Sequence, residues 1–259
     1  MSSLCFPPGL EPVHDLAPVA WVRKAIGEHP GRRLVVGDLV PPVFDAYARV
    51  LHRIRVEEAG QLLIRTWTER ATELGHRLGP TATWWDVIGI PPFGAGSGDP
   101  QPEIGRLTKH EVESLASALD PSDGQDACWF GIWSGWGFLS PGGHGELRPR
   151  GSWFSELRQR RRVEREAPRD EAHEPPRTTV IGEPCFLIRG KVNDAARFMF
   201  HGWFQSPTLW WPDDRSWFVH TEIDAMSTYI GGSHEMIDSL VGQQILESFE
   251  VEEDTPAAL

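Results

Sequence analysis

The sequence predicts an α+β protein, with a mixed or mainly antiparallel sheet in the C-terminal half, helices packed on it, and a mainly helical N-terminal part. Three observations carry this expectation. Strand-like and helix-like patterns are interspersed along the chain. No segment repeats at a fixed period, which sets solenoids and propellers aside. The chain of 259 residues, 40% apolar and 24% charged, has a globular composition. A chain of that size buries roughly 70–75% of its unfolded surface.

Taken in order, residues 18–27 predict a helix, with Trp21, Val22 and Ile26 on one side and Gly27 closing it. A short strand is expected at 33–36. In "PPVFDAYARVLHRIR" the apolar residues Val43, Phe44, Tyr47, Val50, Leu51 and Ile54 form one helical strip, although the paired prolines fit a loop entering a strand equally well. Leu63, Trp67, Ala71, Leu74 and Leu78 predict a helix over 62–78, ended by Gly79-Pro80 because proline cannot continue it. Residues 90–105 are rich in glycine and proline and read as a loop. In "LTKHEVESLASALD", Thr108 and Glu111 have capping-box spacing, and Val112, Leu115, Ala116 and Leu119 share a face.

The second half begins with the strand candidate "ACWFGIWSGWGFL". Sheet strands are expected near 128–138, 183–190, 216–223 and 228–231, a short helix at "VNDAARFM", and a final helix over 233–247 capped by Ser233. The expected organisation is an N-terminal extension (1–17), a helical or α+β part (18–141), a polar insertion or linker (142–179), a C-terminal α+β part completing the sheet (180–250) and a frayed acidic tail (251–259). Residues 18–250 are also compatible with one domain.

Charge and cysteine usage narrow the function classes. A formal charge of −12 repels phosphate backbones and anionic membranes, so neither nucleic acid nor membrane is expected as a partner. The arginines at 158, 160, 161, 162 and 165 are followed closely by acids and prolines, as in a solvated helix end. Cys5, Cys128 and Cys185 form neither a CxxC pair nor a disulfide framework, which fits a reducing, cytoplasmic setting. No phosphate loop, nucleophile elbow or zinc spacing occurs, so no cofactor and no metal are expected.

The richest stretch is "QSPTLWWPDDRSWFVHTEID", residues 205–224. Alternation along a strand puts His220, Glu222 and Asp224 on one face, a candidate acid–base group; the alternative is an ordinary wet sheet face. Trp210, Trp211 and Arg215 have the composition of an interface anchor, with Asp213, Asp214 and Glu222 beside them; the alternative is that both indoles close the end of the core.

The blocks "CWFGIWSGWG" and "QSPTLWWPDDRSWFVHTEIDAMSTYIGGS" resemble a pair carried in the same order by a group of uncharacterised bacterial proteins. The similarity spans about residues 41–240 and implies a shared fold with a variable middle. It transfers no activity and no residue role. The functional expectation is a non-catalytic, immunity-like protein that binds another, basic protein through an acidic tryptophan-bearing surface. Two further readings are a hydrolase or transferase acting on a small polar ligand through His220 with Glu222 or Asp224, and a purely structural protein.

Overall fold

The computed structural model describes residues 6–27, 34–58, 61–89, 100–120, 122–139 and 175–258. Its strands in chain order are β1 (Ala46–Leu51), β2 (Ile54–Glu58), β3 (Gln61–Arg65), β4 (Ala127–Trp133), β5 (Arg177–Val180) and β6 (Glu183–Lys191). They continue with β7 (Met199–Phe200), β8 (Trp203–Phe204), β9 (Leu209–Pro212), β10 (Phe218–Thr221), β11 (Ser227–Gly232) and β12 (Glu247–Val251). Eight of them form one sheet in the order β12-β1-β11-β10-β9-β4-β6-β5, and every pairing in it is antiparallel. The hairpins β2-β3 and β7-β8 stand apart from it.

Among the described residues six α-helices accompany the strands: α1 (Ala20–Ile26), α2 (Val36–Leu39), α3 (Trp67–Glu73), α4 (Trp84–Ile88), α5 (Lys109–Leu119) and α6 (His234–Val241). One sheet face carries Phe130, Trp210, Val219 and Ile230 in the same apolar cluster as Val112 and Leu115 of α5 and Ile237 and Leu240 of α6. The opposite face carries Leu187, Trp211, Phe218 and Tyr229, clustered with Val22 and Ile26 of α1 and Leu39 of α2. A satellite cluster joins Leu51 and Ile54 to Trp67 and Trp84. Covering both faces explains the strand sequences. β1, β9, β10 and β11 are buried at every position, so they lack the polar alternation of a half-wet antiparallel sheet.

The α+β class with an antiparallel sheet stands, and in the N-terminal part strands β1–β4 are interspersed with helices α1–α5. β1 occupies the stretch whose apolar strip also fitted a helix. Between β11 and β12 it gains partners on both edges, which a helix there would leave unpaired. The helix expected over 62–78 is strand β3 followed by α3, whose first turn is capped by Thr66 with Glu69 reciprocating. Val36 opens a helix and does not end a strand. The 128–138 strand stops at Trp133, with a 3₁₀ turn at Gly137–Leu139, and "VNDAARFM" begins with a 3₁₀ turn at Val192–Arg197. The last helix stops at Val241, giving way to β12.

Residues 252–258 are stitched down, not frayed: the amides of Val36 and Gly37 donate to the carbonyls of Thr255 (3.0 Å) and Glu253 (2.8 Å). Residues 90–99, the arginine cluster at 158–165 and the expected insertion as far as residue 174 lie outside the described residues. The last part of that expected insertion is edge strand β5. Strands from either side of it, β4 and β6, pair directly, Cys128 opposite Gly190. The N-terminal stretch joins the same body, with Leu10 in the core and the Val13 amide bonded to the Leu187 carbonyl at 2.8 Å.

Candidate functional site

The corner between β9 and β10 is built from its turn outward. The Arg215 amide donates to the Pro212 carbonyl at 3.1 Å, and the Ser216 amide to Asp214 Oδ1 at 3.0 Å. Closing the turn puts Arg215 in the left-handed region, φ 61°. Residues 213–216 are exposed. Asp213 accepts from Trp129 Nε1 at 2.6 Å and pairs with Arg189, whose guanidinium lies 5.1 Å from the Trp129 ring centre. Arg215 sits over Trp21 at 5.4 Å. Much of the corner's charge is therefore answered within the molecule.

Trp210 and Trp211 are not on that surface. Each is 1% exposed. β9 runs through the middle of a sheet covered on both faces, and successive side chains point to opposite sides, so one ring enters each core. Trp210 packs edge-on against Trp217, centroids 5.2 Å apart, and Trp211 stacks on Phe218 at 5.7 Å. The expected role of these two indoles as exposed anchors is corrected by this burial.

The expected acid–base group does not assemble either. His220 is buried, and its Nδ1 lies 2.9 Å from the Leu39 carbonyl, to which it donates. Burial pushes the imidazole down to about 4, so the ring is neutral near pH 7. The strand ends at Thr221, one residue too early for the alternation that would align all three groups. Glu222 and Asp224 belong to the following turn, where the Asp224 amide donates to Glu222 Oε2 at 2.7 Å. Burial, then the negative charges of Asp224 and Glu183, push Glu222 up to about 7.

A polar cluster that the sequence reading passed over lies where β1, β10 and β11 meet the 102–107 and 205–208 connections. His52 bonds through Nδ1 to the Glu103 carbonyl (2.6 Å) and through Nε2 to Thr228 Oγ1 (2.9 Å), which meets Thr221 Oγ1 at 2.8 Å. Gln205 Nε2 donates to the Gly105 carbonyl at 3.0 Å, and Ser206 Oγ accepts from the Leu107 amide at 3.1 Å. On the other sheet face, buried Arg49 donates to Ser227 Oγ (2.9 Å) and to the carbonyls of Pro80 and Ala82 (2.8 Å each). The signal was available: threonines and a histidine standing in otherwise apolar strands. These bonds run between the chain's own groups, as in a fastening of sheet to loops.

Both described cysteines are withdrawn. Burial raises the thiols of Cys128 and Cys185 well above their ordinary value, which disfavours the thiolate. Among the described residues no group of three or more His, Cys, Asp and Glu side chains is arranged to hold a metal, and no helix is long and apolar enough to cross a membrane. One run of exposed carboxylates without an ion pair lies elsewhere. Glu250, Glu252, Glu253 and Asp254 are exposed and form no ion pair among the described residues. Glu247 is engaged, accepting from the amides of Trp67 (2.6 Å) and Thr68 (2.7 Å) at the start of α3. The chain matches no protein-family model, no curated protein and no solved structure.

Proposed function

We propose that this is a non-catalytic, immunity-like protein that acts in the cytoplasm by binding a basic protein partner through exposed carboxylates. The observation that carries the reading is a contrast in placement. His52, His220, Cys128 and Cys185 are buried among the chain's own partners, while Glu250, Glu252, Glu253 and Asp254 are exposed and form no ion pair among the described residues. Unanswered surface charge steers an oppositely charged partner and selects against wrong ones. Asp213, Asp214 and Arg215, exposed at the turn between β9 and β10, are a second, mixed-charge group. The hydrolase or transferase reading has against it a His220 that is buried and donates its Nδ1–H to the Leu39 carbonyl.

The test is capture from extracts of the source cells on immobilised protein at low salt, followed by elution at about 0.5 M salt, where exposed ion pairs are screened. The expected result is a basic protein retained by the wild type and lost from the double variant Glu250→Lys, Asp254→Lys. Retention of nothing, or equal retention by both, overturns the proposal.

A further inference from the structure

The two ends of the sheet are treated differently. At β5, Arg23 reaches over from α1, its Nε donating to the Thr179 carbonyl at 2.9 Å and its Nη2 to the Thr178 hydroxyl. That edge is latched. At the other end β12 pairs with β1 through an unbroken register from Tyr47↔Val251 to Leu51↔Glu247, and none of its backbone groups is paired on the outer side among the described residues. Every second residue of such a strand directs its amide and carbonyl away from the sheet. Open edges are usually blunted by proline, lysine or a bulge. β12, with sequence ESFEV, has none of these, and its guard is the negative charge of its glutamates, which a basic strand would neutralise.

We propose that this edge receives an extended basic segment of the partner as a ninth strand. The inference rests on the protein-binding reading above and gives it a surface and a geometry. Backbone bonds would supply the ladder, as in other cases of strand addition. The carboxylates of Glu250, Glu252, Glu253 and Asp254 select the occupant. They repel a second copy of this chain, which would bring the same charges, and they attract lysine or arginine. The edge is already shaped. Glu247 grips the start of α3, Ser248 Oγ donates to the Leu240 carbonyl at 3.4 Å, and the residues after β12 are bonded to α2, so little ordering remains for the binding step. Exposed Val241 and Ile245, at the end of α6 and just before β12, offer apolar contact to alternate side chains of the incoming strand.

The experiment follows backbone amide NMR signals of the full chain during titration with an acetylated, amidated heptapeptide alternating lysine with valine or threonine. A second peptide of the same sequence carries N-methyl groups along one edge, which removes ladder bonds and keeps the charge. Shifts should concentrate in residues 247–254 and spare 213–216. The N-methylated peptide should bind at least about tenfold more weakly, and so should the plain peptide with the Glu250→Lys, Asp254→Lys variant. Equal binding of the two peptides, or shifts centred on 213–216, overturns strand addition. No peptide binding from a protein that still retains a partner from extracts overturns strand addition and leaves the protein-binding reading standing. Failure of both assays removes both.

Discussion

Replacing Trp210 by alanine separates a buried ring from a surface anchor more sharply than any other single change. The indole is 1% exposed, edge-on to Trp217 at 5.2 Å and stacked on Phe130 at 6.3 Å, and it belongs to the core that α5 and α6 cover. Truncating a buried tryptophan costs about 3–5 kcal/mol, and a hole between sheet-borne aromatic rings closes poorly, which favours the upper half of that range. For a chain of this size each kcal/mol lowers the melting temperature by about 2–4 °C, so a fall of roughly 8–20 °C is expected. Urea unfolding followed by far-ultraviolet circular dichroism gives the free energy; Asp214→Ala, on the exposed turn, should stay within about 0.5 kcal/mol of wild type. A Trp210→Ala protein that loses less than about 1 kcal/mol would refute the placement of this ring.

Three further outcomes concern charge. His220 and His52, with ordinary values of 6.5, are held at about 4 and about 3 in the fold, chiefly by burial. Their contribution is fully present above pH 6.5 and is lost as pH falls from 6.5 through 4 and then 3, up to about 3 kcal/mol for His220. Glu222 has the opposite sign: held at about 7 against an ordinary 4.5, it favours the fold below pH 4.5, and that contribution is lost as pH rises from 4.5 to 7. Glu222→Gln should therefore be more stable than wild type at pH 7.5 and flatten the slope between pH 4.5 and 7 in urea titrations; an unchanged slope would contradict the burial of that carboxyl. Arg49→Lys should cost about 1–3 kcal/mol in the same assay, because one ammonium cannot serve Ser227 and the carbonyls of Pro80 and Ala82 as the guanidinium fork does.

How much of this was legible depends on whether a feature is local. Thr108 and Glu111 announce α5, and Ser233 announces α6, because a cap and its partner are close in sequence. The same spacing at Thr66-Glu69 and Thr83-Asp86 marks α3 and α4 equally well, and it is hidden only when the helix is started too early. β1 and β9 were illegible for a different reason. Strands covered on both faces show no polar alternation, and Ala46–Leu51 offers a helical strip as readily as a strand. β12 disappears into the preceding helix pattern because glutamates are poor strand formers until an edge position lets them face water. At the site, the types of residue were visible but their exposure was not. Whether an indole on β9 meets solvent depends on α1, α5 and α6, and the partner of His220 is a carbonyl at Leu39, far away along the chain.

The position of β1 between β11 and β12 has a consequence for the order in which the molecule can form. An early segment is flanked on both sides by strands from the far end of the chain, so its pairing waits until nearly everything between has been synthesised and a very large loop has closed. Such non-local topology makes for slow folding. Until then the apolar strip of residues 46–51 stays uncovered, which makes it the segment a nascent chain must keep away from its neighbours.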